Sequence, residues 1–204
     1  MDRDLAARLR HAAPANTTII EGDVLDQDLP GLARGAPMRI AGNLPYNISS
    51  PILFKLFDAG RTGTVVDATL MLQFEVAERL IAPVGTHEYG VLTILTALSA
   101  DVRRLLTLPP GAFRPAPKVR SAVVRLTFRP LPVTIADDAL MQRLVRTIFM
   151  QRRKMLLNAV RSFAEEVGGD PAALLAAAGI DGTRRPETLQ LTELARLVDA
   201  ATRC

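Results

Sequence analysis

The feature that most constrains this 204-residue chain is a change of periodicity at Pro130-Leu131-Pro132. Before that step, short β-branched runs alternate with segments of helical period. After it, every periodic segment has helical spacing. Strands are expected at Thr17-Thr18-Ile19-Ile20-Glu21, stopped by Gly22-Asp23, and at Met38-Arg39-Ile40-Ala41, stopped by Gly42-Asn43. Further strands are expected over Val65 to Leu72, Val102 to Leu108 and Ser121 to Phe128. Helices are expected over Asp4 to His11, Asn47 to Asp58 (Ser49 or Ser50 as cap, Pro51 early), Phe74 to Ile81 and Gly90 to Leu98. Pro109 to Pro117 reads as a proline-rich loop. Strands alternating with helices predict an α/β sheet, mostly parallel. Past the step, helices are expected over Ala139 to Phe149, Arg152 to Phe163, Pro171 to Ala178 and Thr192 to Ala201. Their start signals are Asp138, Asp170-Pro171 and Thr192-Glu193. A boundary near Leu131 divides the chain into 1–130, an α/β unit, and 131–204, a small all-α unit.

Composition narrows the function. Hydrophobic residues make up 49% and charged residues 23%, which suits a packed core. No run of roughly 18 apolar residues is present, so no membrane span is expected. The single cysteine, Cys204, is the last residue, which excludes a disulfide framework and a cysteine metal site and fits a reducing cytoplasm. His11 and His87 stand alone, so no metal is expected. Met1 to Arg10 contains Asp2 and Asp4 and no apolar run, unlike a signal peptide. The net charge of +4 hides an asymmetry: from Arg103 to Arg161 there are 13 Lys/Arg against only Asp137 and Asp138. So one-sided a run is either a solvated face or the seat of a polyanion such as nucleic acid.

In open α/β sheets, ligands sit outside the carboxyl ends of the strands. Asp23 and Asn43 each follow an expected strand. Asp23 is either a turn residue or an acceptor for an exocyclic amine that identifies adenine. Asn43-Leu44-Pro45-Tyr46 is the sharpest local feature. An adenine amino group is a poor nucleophile because its lone pair is delocalised into the ring. Two acceptors, the Asn43 side-chain oxygen and the Leu44 carbonyl, could take its two N–H groups. They would turn the nitrogen toward a tetrahedral shape and aim its lone pair at a methyl donor, which is catalysis by positioning. Pro45 stiffens the turn, and Tyr46 offers a flat face for an extruded base. The plainer alternative is a strand-ending turn with a buried tyrosine.

Much more of the chain carries a likeness. Gly42 to Pro51 (GNLPYNISSP), Leu72 to Leu80 (LQFEVAERL), Tyr89-Gly90, Pro109 to Val119 (PPGAFRPAPKV) running into Ser121 to Leu126 (SAVVRL), and Gln151-Arg152-Arg153-Lys154 follow one another in a family's order and spacing. They resemble the ribosomal RNA adenine dimethyltransferases, and specifically the bacterial small-subunit branch rather than the related erythromycin-resistance enzymes of large-subunit rRNA. The resemblance implies a Rossmann-like methyltransferase sheet followed by a small helical, rRNA-binding domain. It implies S-adenosylmethionine as cofactor and dimethylation of two adjacent adenines near the 3′ end of the small-subunit (16S) rRNA. The partner it implies is the immature small ribosomal subunit, met in the cytoplasm by a monomer. By the same resemblance, Asp23 contacts the adenine of the cofactor, and Asn43 lines both the cofactor and the target pockets. Leu44 and Pro45 belong to the same catalytic turn, Tyr46 stacks on the target base, and Phe113 closes on it as a second aromatic. Such a base must be flipped out of the RNA stack to be reached. Arg152, Arg153 and Lys154 match phosphate contacts, at what looks like the start of a basic helix, with Lys118 and Arg120 as helpers. Arg120 stands where an acidic residue is expected.

The resemblance begins just after that family's second strand. The glycine-rich loop and the ribose-holding acid are therefore expected upstream of Met1, as if the chain were N-terminally truncated, and this chain alone is expected to hold the cofactor weakly. Alternatives from other classes are a non-catalytic rRNA-binding or ribosome-assembly factor, an inactive fragment of the enzyme, and a DNA adenine methyltransferase. The stretch from Phe113 to Lys154 argues against the last.

Overall fold

The computed structural model describes residues 3–203; Met1, Asp2 and Cys204 lie outside them. The first helix, α1 (Arg3–Ala12), is followed by the short α2 (Leu29–Ala33). Strands and helices then alternate: β1 (Met38–Asn43), α3 (Ser49–Arg61), β2 (Val65–Gln73), α4 (Phe74–Leu80) and α5 (Val91–Ser99). Next come β3 (Ala100–Leu108) and β4 (Ser121–Phe128). From there the described chain is helical: α6 (Asp138–Met150), α7 (Leu156–Ala159), α8 (Arg161–Glu166), α9 (Pro171–Ala177) and α10 (Leu191–Ala201). Among the described residues, no helix is long and apolar enough to cross a membrane.

The strand order is β1-β2-β4-β3. β1 and β2 are parallel, while β4 runs antiparallel to both β2 and β3. The expectation of a mostly parallel sheet is thus corrected. No α-helix crosses over between β3 and β4, and a loop without one is the connection that suits an antiparallel pair. The central strands β2 and β4 are the most buried, as their dense apolar runs suggest. Asp67, only 5% exposed in β2, is held by Arg125 Nη2 of β4 at 2.7 Å and by Arg39 of β1 at 3.5 Å. A buried carboxylate needs such partners; this one laces three strands together.

Three further expectations are revised. Thr17 to Glu21 is not a strand: a strand needs a hydrogen-bonded neighbour, none of the described strands pairs with this stretch, and Ile20 is 49% exposed. Neither Ser49 nor Ser50 caps α3. Its cap is Ile48, and Ser49 instead turns its hydroxyl back to the Tyr46 carbonyl, 3.3 Å away. Gln151 to Lys154 is a turn rather than a helix start, closed by Lys154 N–H donating to the Gln151 carbonyl at 2.8 Å. The other helix starts lie near their signals. Asp137, one residue before Asp138, caps α6 by accepting from Leu140 N–H, and Asp170 caps α9 by accepting from Ala173 N–H. Glu193 accepts from Gln190 N–H at the start of α10.

One continuous cluster of buried side chains runs from Leu53, Leu70 and Leu126 around the sheet, through Ile94 and Leu98 of α5, to Met141, Leu144, Phe163 and Leu197 of the helical part. α3 packs onto the sheet by a close approach at Gly60, where a Cβ would lie 2.2 Å from Phe128 Cδ1. Gly60→Ala is therefore expected to destabilise the fold by about 1–2 kcal/mol, overpacking outweighing the better helix propensity of alanine. Urea unfolding measures it. A gain in stability would show that the Phe128 ring turns aside freely.

Candidate active site

The strand polarities bring distant segments to one edge of the sheet. β1 and β2 end there, at Asn43 and Gln73. Because β3 and β4 run as an antiparallel pair, with Leu108 opposite Ser121, the loop between them (109–120) lies on the same edge. Phe113 is thereby carried to the edge that holds Asn43 and Tyr46, without any contact that sequence spacing would reveal. Within the loop, Pro110–Ala112 form a 3-10 turn and Phe113 N–H donates to the Pro110 carbonyl at 3.2 Å. No ring contact joins Phe113 to Tyr46 among the described residues.

The Asn43-to-Tyr46 turn is held at several points. Leu44 N–H donates to the Met71 carbonyl at 3.2 Å, which locks the turn to the end of β2, and the Leu44 side chain is buried. Ile48 N–H donates to the Pro45 carbonyl at 3.2 Å. The Tyr46 hydroxyl lies 2.8 Å from Ser121 Oγ at the start of β4, and either oxygen can donate. Asn43 is exposed. Among the described residues, no hydrogen bond engages the Asn43 side-chain amide or the Leu44 carbonyl. Two acceptors next to a fixed aromatic ring are therefore left for a ligand.

Asp23 sits apart, in an exposed turn of its own. One carboxylate oxygen accepts from Leu25 N–H at 2.9 Å, and its carbonyl accepts from Gln27 Nε2 at 3.0 Å. Lys55 of α3 ties this turn down by donating Nζ to the Leu25 carbonyl at 2.6 Å. No hydrogen bond joins Asp23 to Asn43 among the described residues.

The expected RNA-contacting cations divide into two kinds. Arg153 and Lys154 are exposed in the turn after α6, and Lys118 is exposed in the β3–β4 loop. Arg120 spreads its guanidinium over the Phe74 ring, 4.0 Å from the centroid, with Arg104 5.3 Å from the same centroid. Arg152 turns inward. Its guanidinium donates to the His87 carbonyl and, at 2.9 Å, to the Thr86 carbonyl, and it pairs with Glu187 at 3.5 Å. With Tyr89, whose hydroxyl donates to the Leu189 carbonyl at 2.7 Å, it bolts the loop after α4 to the C-terminal helices. Burial, aided by the nearby Glu193 carboxylate, pushes the Tyr89 phenol up to about 12, so it stays a donor. Glu193 is itself held below the usual carboxylate range, chiefly by its hydrogen bond from Arg184.

Sequence reasoning left Ser121 without a role. It stands inside a recognised stretch, and its only signal was a serine at the first position of a strand that otherwise alternates apolar residues. Asp67, an acid inside an apolar strand, was the second missed signal.

A mixed sheet with helices and an Asn-Leu-Pro-Tyr turn at its carboxyl edge defines a Rossmann-like methyltransferase. Residues 1–201 match the family described as ribosomal RNA adenine dimethylase, and the chain belongs to that family. It is 46% identical over 197 residues to the ribosomal RNA small subunit methyltransferase A of Aromatoleum aromaticum, covering 95% of this chain and 70% of the relative. It is 42% identical over 203 residues to the protein of that name from Acinetobacter baylyi, covering 98% and 71%. Among solved structures, a dimethyladenosine transferase from Plasmodium falciparum superposes with a TM-score of 0.75 at 22% identity, covering 99% of this chain and 80% of that one. The 23S rRNA methyltransferase ErmE superposes with a TM-score of 0.63 at 24% identity, covering 98% and 79%. These two likenesses speak for the fold.

Proposed function

We propose that this chain takes part in S-adenosylmethionine-dependent N6,N6-dimethylation of adjacent adenines near the 3′ end of small-subunit (16S) rRNA, on immature small ribosomal subunits. The observation that carries this reading is the pair of unengaged acceptors, the Asn43 side chain and the Leu44 carbonyl, beside the anchored Tyr46 ring. S-adenosylmethionine, when bound, supplies an electrophilic methyl group on a positively charged sulfur. The residues present suit the reaction side and the adenine side of such a partner: this edge offers acceptors to a cation and to amine N–H groups, and Asp23 keeps a second carboxylate oxygen outside its turn for the cofactor's adenine.

In the mechanism, the target adenine leaves the RNA stack and lies on Tyr46, with Phe113 closing from the β3–β4 loop. Asn43 and the Leu44 carbonyl accept the two amine N–H groups and aim the nitrogen lone pair out of the ring plane. Pro45 keeps the turn from relaxing away from that geometry. Each transfer releases one proton from the nitrogen, and the exposed position of Asn43 gives it a route to water. After the first transfer one N–H remains for the acceptors, and the same arrangement serves the second.

In this reading residues 1–130 carry the chemistry and residues 131–204 grip rRNA. Arg153 and Lys154 meet phosphates, Lys118 and Arg120 extend the positive surface, and Arg152 holds the turn that presents its neighbours. Replacing Arg153 and Lys154 together with alanine is expected to flatten the dependence of log affinity on log salt by about 1.4–1.8, two contacts at roughly 0.7–0.9 each. An unchanged slope would make the turn a solvated surface only. The function itself is tested by incubating a full-length protein that carries this sequence with undermethylated small subunits and methyl-labelled S-adenosylmethionine, then digesting the rRNA. Labelled dimethyladenosine is expected. Tight subunit binding with no transfer would favour a non-catalytic assembly factor.

A further inference from the structure

We propose that Ser121 is a positioning residue for methyl transfer: its buried hydroxyl fixes the Tyr46 ring and ties the base-stacking face to the loop that carries Phe113. The inference rests on the reading of Tyr46 as the stacking residue. Ser121 is fully buried, and its Oγ lies 2.8 Å from the Tyr46 hydroxyl across 75 positions of sequence. Burying a hydroxyl without a partner is unfavourable, and the phenol is the partner that Ser121 has.

The anchor point is rigid. Ser121 stands opposite Gln73 of β2 and opposite Leu108 of β3, so strands hold it from both sides. The residue before it is fastened too: Arg120 accepts from Phe74 N–H through its carbonyl at 3.0 Å and lays its guanidinium on the Phe74 ring. The β3–β4 loop therefore ends at the group that holds Tyr46. A tyrosine has two side-chain torsions, and holding its hydroxyl limits both while leaving the ring faces open. Such a ring meets the flipped base already oriented, so less freedom is lost when the stack forms. Phe113 lies eight residues upstream in the same loop, on the edge that carries Tyr46.

The test pairs Ser121→Ala with Tyr46→Phe, which removes the other hydroxyl and keeps the ring. Two readouts are used: single-turnover methylation of small subunits, and fluorescence of an RNA carrying 2-aminopurine at the target position, whose emission is quenched when the base stacks. Each variant is expected to slow transfer by about 5–10-fold, the worth of one hydrogen bond, with less quenching and unchanged RNA affinity. The double variant should be no worse than either single one, because both remove the same bond. Additive losses, or a Ser121→Ala protein with a lower melting temperature but normal quenching and rate, would overturn the proposal. If Ser121→Ala does not fold, Tyr46→Phe decides: a rate equal to that of the unmodified protein overturns it. Tyr46→Ala separates the two readings. If it is harmful while Tyr46→Phe and Ser121→Ala are neutral, the stacking role stands and the Ser121 role falls. If it is harmless, the stacking role falls as well.

Discussion

Asn43→Ala is expected to slow methyl transfer by about 10²–10³-fold, the loss typical when one preorganised hydrogen-bonding partner of a developing charge is removed. The side chain is exposed at the end of β1, and the backbone there is fixed by pairing with Met71 of β2. Truncation therefore removes an acceptor and leaves the edge in place. The Leu44 carbonyl remains, so one of the amine N–H groups keeps its partner and transfer does not fall to the uncatalysed level. RNA affinity should be unchanged, because Arg153 and Lys154 lie on the turn after α6. Single-turnover rates beside filter-binding affinities measure the split. A rate within a few-fold of the unmodified protein, or an equal loss of binding and rate, would show that the amide does not touch the reacting amine.

Tyr46→Ala is expected to cut the transfer rate by roughly 5- to 150-fold, since a base–aromatic stack contributes about 1–3 kcal/mol and 1.4 kcal/mol is one decade. In the proposed mechanism the stack is gained only once the base has left the RNA helix, so its loss would fall on the flipped state rather than on the encounter with rRNA. Binding of small subunits, dominated by phosphate contacts, should barely change. The 2-aminopurine signal should show the base unstacked at saturating protein. Equal losses in binding and transfer would remove Tyr46 from the target pocket and leave it a packing residue.

The placement of Arg152 shows how a basic cluster is sorted by packing. Gln151-Arg152-Arg153-Lys154 reads as three equivalent cations in sequence. In the structure the first donates into the loop after α4 and pairs with Glu187, while the next two stay exposed. Guanidinium groups bind carbonyls and phosphates by the same fork of donors. Which of them Arg152 meets depends on where the Thr86 and His87 carbonyls lie, and that is a matter of tertiary contact.

Much of the chain declares itself locally. The runs at Met38, Val65 and Ser121 are strands because their β-branched and apolar residues suit a buried pleated surface. The helices beyond Asp138 follow from apolar spacing and from capping carboxylates at Asp137 and Asp170. Asn43-Leu44-Pro45-Tyr46 was legible because a stiff turn with two acceptors and a ring is a chemical statement within four residues. Pairing is different, because a strand is defined by its neighbour. Thr17 to Glu21 has the composition of a strand and no hydrogen-bonded partner, so it is not one. The direction of β3 and β4 was likewise hidden, and with it the reason that Phe113 shares an edge with Asn43. The meeting of Tyr46 with Ser121, and of Asp67 with Arg39 and Arg125, needed the sheet order itself, since no periodicity in one strand reports which residue lies across the next.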